Sequence, residues 1–166
     1  MSATKILLAT LLGGVLLFLL DGAFQAIPHF GITAVQSLES KDYTTPKFAE
    51  LQNRMAYINT GETVTFAATQ PAGFYNLGKF FAIEFLCALG VAFLFAQAFA
   101  RFPAAGLKVR VAVAFLFALA VCFAVHVPYL NWWGFSMPYA LGVMTKTLTG
   151  WTTLAFFINK FVYKIN

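Results

Sequence analysis

The chain has 166 residues, of which 60% are hydrophobic and only 10% charged, whereas charged residues make up roughly 25% of an average soluble domain. With 17% aromatics and 20 Phe, too few polar side chains remain to cover a water-exposed shell. A disordered tail and a soluble active-site cleft are thereby excluded. The net charge of +5 is accounted for by membrane topology rather than by nucleic-acid binding.

Helices that cross a bilayer need about 20 apolar residues at about 1.5 Å each, and four stretches meet that length. The first runs from about Lys5 to Ala26. It begins like a signal peptide, but its small-residue cleavage positions are poor: Asp21 stands three residues before a cut after Ala23, and Phe24 three before a cut after Ala26. The segment is therefore read as a retained helix. The second span covers about Lys79 to Ala100, the third about Val111 to Leu130 and the fourth about Met137 to Ile158. Pro28, Pro103, Pro128 and Pro138 sit near the proposed span ends, where a helix break costs little. The fold class expected is an all-α integral membrane protein, a single domain built as a four-helix bundle.

Lys5, Arg101, Lys108, Arg110, Lys160 and Lys164 fall at one end of such a bundle, with no acid among them. In the long segment between the first two spans, Lys41, Lys47 and Arg54 are outnumbered by Glu39, Asp42, Glu50 and Glu62. The positive-inside rule then places both termini in the cytoplasm.

The segment from about 28 to 78 is too long for a turn and is expected outside the cytoplasm as a cap or docking surface. Within it, Phe48, Leu51, Met55 and Ile58 recur at helical spacing, predicting a short amphipathic helix over Lys47 to Ile58. A turn at Thr60-Gly61 follows, then an extended piece at Thr63-Val64-Thr65-Phe66. The segment holds no Cys and no Asn-x-Ser/Thr site. Cys87 and Cys122 fall inside spans and read as packed thiols, so an exposed redox pair of the Cys-x-x-Cys kind is missing. These features favour a bacterial inner membrane.

Small residues recur at four-residue steps along the spans: Ala88, Ala92 and Ala96 in the second, Ala114 and Ala118 in the third, Gly142 and Gly150 in the fourth. With Gly14 in the first, they mark the faces through which membrane helices pack closely. Asp21, Glu84, His126 and Lys146 lie on those faces, and all four come to the outer half of the bundle if each helix is counted from its outer end. An unpaired charge there costs at least ~2.5–3.5 kcal/mol, so pairing is expected, with Lys146 as counter-ion to Glu84 or Asp21 and His126 bonded to one of the acids. Such a cluster is either a salt-bridged seam that fixes helix register or a proton- or ligand-binding site. Tyr129, Trp132 and Trp133, where the third span meets the fourth, read as interfacial anchors.

Only His29 and His126 are available as imidazole ligands. No metal site is expected, and no cofactor, with haem or a pigment the remote alternative. The leading functional reading is an accessory or scaffold subunit without catalysis of its own, surrounded by lipid and packed against other membrane subunits or its own copies. The alternatives are a proton-linked channel or small-solute transporter using the charged cluster, and a membrane enzyme or lipid-, quinone- or pigment-binding protein.

Overall fold

A computed structural model describes residues 2–27, 55–59, 61–62, 64–68, 74 and 76–164. They fall into two compact units, one drawn from Met1–Val35 and Phe80–Asn166, the other from Gln36–Lys79. In the smaller unit, strands β1 (Met55–Asn59) and β2 (Val64–Ala68) form an antiparallel hairpin with Tyr57 opposite Phe66. The extended piece read at Thr63–Phe66 lies largely in β2. The amphipathic helix read over Lys47 to Ile58 is overturned at its C-terminal end, because Met55–Ile58 belong to β1; its first part, with His29 and Pro28, lies outside the described residues. Helical spacing of four apolar residues could not reveal that the final stretch has a strand partner six residues further on.

All other regular structure described is helical. α1 (Ala3–Gln25) starts where the Ser2 hydroxyl accepts the Lys5 N–H, and α2 (Leu77–Arg101) where the Asn76 side-chain oxygen accepts the Lys79 N–H at 3.0 Å. Each relieves one of the amides that a helix start leaves unpaired. α3 (Leu107–Val121) passes through a π-helical turn at Cys122–His126 into α4 (Val127–Trp133). Pro128 thus does not end the third helix as its sequence position suggests. Lacking an N–H and crowding the carbonyl of Ala124, it is accommodated by a wider turn in which the Val127 N–H reaches back five residues to the Cys122 carbonyl. The helix then runs on to Trp133 and stops at Gly134, whose φ of 66° is the left-handed conformation glycine adopts without penalty. α5 (Met137–Phe157) opens with Ser136 accepting the Tyr139 N–H and with Pro138 in its first turn. It closes in a second π turn, Ile158–Val162, where the Tyr163 N–H donates to the Ile158 carbonyl at 2.9 Å.

Among the described residues, three helices are long and apolar enough to cross a membrane: α1, α2, and the continuous helix from Leu107 to Trp133. At 23 residues α1 alone extends about 35 Å. α5 is comparably long at 21 residues but less apolar. It packs against both α1 and α3 and buries Ala140, Gly142, Thr147, Gly150, Leu154 and Ala155. Its Thr147, Thr149 and Thr152 hydroxyls donate to carbonyls four residues back, which hides their polarity within the helix.

The core is built from Ala9, Leu17, Ala92, Phe95, Ala96, Phe99, Ala114, Leu154, Ile158 and their neighbours. Most large apolar side chains point outward instead: Leu7, Leu19, Leu86, Leu94, Leu116, Phe123 and Trp132 are all more than half exposed. A soluble fold would bury them, whereas a lipid bilayer accepts them. Phe95 and Phe99 are buried as well, filling space beside the small residues of α2.

Candidate functional site

The four ionisable residues picked out in the sequence do not form one hydrogen-bonded cluster. They are organised around α5. Lys146 reaches α1, where its Nζ lies 3.8 Å from Asp21 Oδ1, with both side chains about one-quarter exposed. One residue on, Thr147 faces the π turn, and its Oγ1 lies 3.2 Å from His126 Nε2. The Thr147 hydroxyl also lies 2.8 Å from the Val143 carbonyl; with its proton given there, its lone pair accepts from a protonated His126 Nε2. The histidine is therefore not bonded to Glu84 or Asp21. A partner adjacent in sequence to Lys146, and a π turn that rotates His126 relative to a regular helix, could not be foreseen from four-residue stepping.

Glu84 is exposed on α2, and the ion pair falls to Asp21 rather than to it. Glu84 lies within electrostatic range of Asp21, and Lys146 within range of both Asp21 and His126, but the Asp21–Lys146 pair is the one direct contact among the four groups in the described residues. Gly150, one turn from Lys146, lets α1 in close: a Cβ there would stand 3.1 Å from Leu17 Cδ1 and 3.8 Å from Asp21 Oδ1. The close approach and the ion pair are thus two parts of the same α1–α5 contact.

The residues of the small-side-chain faces, Gly14, Ala88, Ala92, Ala96, Ala114, Ala118, Gly142 and Gly150, are all buried. Cys122 is buried too and its thiol points at the Met144 carbonyl, but Cys87 is exposed on α2, contrary to its reading as a packed thiol. Trp132 and Tyr129 are exposed and Trp133 half-buried. Phe135 joins them, its ring 5.5 Å from that of Tyr129 and 5.3 Å from that of Tyr139.

A second polar centre, counted in the sequence only as surface charge, lies at the other end of α5. Arg110 is 2% exposed. Its Nε donates to the Ala105 carbonyl at 2.8 Å, one terminal nitrogen to Asn159 Oδ1 at 2.9 Å and the other to the Phe102 carbonyl. The guanidinium also lies over the Phe99 ring, 5.8 Å from its centre. Asn159, fully buried, passes its own N–H to the Ala155 carbonyl, and the Tyr163 hydroxyl donates to the Ala96 carbonyl at 2.9 Å. Carbonyls just past the end of α2, where the helix dipole is negative, take the place of a carboxylate. Asn159 and Tyr163, four residues apart on the end of an apolar helix, were the available signal.

Among the described residues no group of three His, Cys, Asp or Glu side chains could hold a metal ion, and every buried side-chain nitrogen or oxygen has a hydrogen-bond partner. Comparison with protein-family models, with curated proteins and with solved structures found no match.

Proposed function

We propose that this chain is a four-span accessory subunit of a bacterial inner-membrane complex, with both termini in the cytoplasm and no catalysis of its own. α5 supplies the fourth span, with Lys146 and Thr147 turned to neighbouring elements and the Thr149 and Thr152 hydroxyls bonded to the helix's own carbonyls. The observation that carries the reading is the way interior polarity is used. Lys146 with Asp21, His126 with Thr147, and Arg110 with Asn159 each tie two helices, or a helix and a turn, together. Groups spent in this way fix helix register and offer little to a substrate. The broad apolar exterior provides the surface that lipid and larger subunits would cover.

A second reading, proton-linked transport, draws on the shared field around Asp21, Lys146, Glu84 and His126. Neutralising the pair separates the two. As a seam, Asp21→Asn and Lys146→Met each weaken assembly, and the double variant recovers most of it because no charge is left unpaired. As a transport site, Asp21→Asn abolishes proton-coupled activity while the particle stays intact. Intact assembly with lost activity refutes the accessory reading.

A further inference from the structure

Among the described residues the helix contacts leave an opening. It is a half-open groove of about 250 Å³ lined by Val91, Leu94, Phe95, Ala98, Phe117 and Trp151, with almost no polar atom on its walls. The Phe95 and Trp151 rings form its floor edge to face, 5.5 Å apart at 78°. Leu94 and Phe117, both more than half exposed, stand as its rims. Its α2 residues follow steps of three and four, a single stripe on the helix surface. Three residues beyond Ala98 on that stripe comes Arg101, in the last turn of α2.

Arg101 is exposed and makes no ion pair or side-chain hydrogen bond among the described residues. Arg110, near the same end, is consumed by Phe102, Ala105 and Asn159. No Asp or Glu occurs between Arg101 and the C-terminus, and Lys108, Lys160 and Lys164 add exposed positive charge. The groove therefore runs from an apolar trough about 10 Å long, from Val91 to Ala98, to an uncompensated guanidinium in a basic field.

We propose that the groove is a site for an anionic phospholipid, with one acyl chain lying along Leu94, Phe95, Phe117 and Trp151 and the phosphate held by Arg101. The chain fills space that side chains leave empty, and the phosphate gives Arg101 the planar, charge-assisted pairing that guanidinium groups form with phosphates. Bulk lipid would coat any apolar face. A single trough ending at an unpaired arginine instead selects a charged headgroup at a fixed distance from its tail. The proposal stands apart from the accessory role, since a lipid site is compatible with either presence or absence of protein partners.

Native mass spectrometry of the particle extracted in mild detergent tests it, followed by delipidation and titration with phosphatidylglycerol or phosphatidylcholine of identical chains. One tightly held anionic phospholipid per chain is expected, with phosphatidylcholine bound at least tenfold more weakly. Arg101→Gln should weaken phosphatidylglycerol about tenfold and phosphatidylcholine, whose phosphate is already partly neutralised by its own choline, by clearly less. Ala98→Phe, which fills the trough, should lower both, and Lys108→Gln, nine residues from Phe117 and so on the opposite face of α3, should change neither. Circular dichroism confirms that each variant is folded; Arg101 is exposed, so its replacement does not disturb the core. Equal binding of the two lipids, equal loss from Arg101→Gln and Lys108→Gln, or a native particle in which the groove holds another subunit's helix and no retained lipid, overturns the proposal.

Discussion

Replacing Gly14 by alanine tests the packing of α1 on α2 at its tightest point. A Cβ on Gly14 would stand 2.6 Å from Leu89 Cδ2, 3.1 Å from its Cγ and 3.0 Å from its Cα. A rotamer change can withdraw the first two atoms, but the third is backbone, so the helices must separate by several tenths of an ångström. Overpacking of this kind costs about 1–3 kcal/mol, while alanine gains at most about 1 kcal/mol over glycine in helix propensity. Gly90→Ala carries the same propensity gain with nothing within 4 Å of the new Cβ, so the difference between the two variants isolates the steric part, about 1–3 kcal/mol. Gly13→Ala should fall between them, because its closest neighbour, Leu154 Cδ1 at 2.8 Å, is the end of a flexible side chain. Unfolding of purified protein in a denaturing-detergent titration, followed by far-ultraviolet circular dichroism, gives the three values. Equal stability of Gly14→Ala and Gly90→Ala would refute the close α1–α2 contact.

Arg110→Leu should be the most damaging single change at the basic end, costing about 3 kcal/mol or more, because it leaves the buried Asn159 Oδ1 and two part-buried carbonyls without their donor; the same titration reads it, and a loss below about 0.5 kcal/mol contradicts the network. Tyr163→Phe removes one hydrogen bond to the Ala96 carbonyl and should cost about 1 kcal/mol, a loss absent if the hydroxyl instead faces water. A double-mutant cycle on Asp21 and Lys146 should give a coupling of up to about 1 kcal/mol, since both side chains retain some exposure; zero coupling means the pair is not formed. Pro128→Ala restores the missing N–H and should let the Cys122–His126 turn relax to a regular helix, turning His126 away from Thr147; imidazole nitrogen chemical shifts that do not change on this substitution contradict the role given to proline.

What could be read from the sequence divides along physical lines. α1 and α2 were legible to within two or three residues because each is a long apolar run. Pro128 was misread because a proline marks a helix end only if the chain cannot widen a turn around it, and here the π turn lets the helix run five residues further to Trp133. Arg110 was misassigned because charge counting treats every cation near a span end as solvated, and nothing local says that two loop carbonyls and an asparagine 49 residues away enclose it. The Asp21–Lys146 pair was accessible as an expectation because lone charges in a membrane need partners. The choice of Asp21 over Glu84 was not, since helix rotation decides it and both acids lie a similar number of residues from their helix ends. The extended segment at β2 was visible in its β-branched residues, while β1 was hidden by a spacing that also suits a helix.

Whether this bundle works beside other proteins is tested most directly by the mass and composition of the particle that mild detergent releases from native membranes. An accessory subunit elutes at constant stoichiometry with larger membrane polypeptides. A homogeneous particle containing only this chain and lipid contradicts the accessory role and returns the charges around Lys146 to consideration as a transport site.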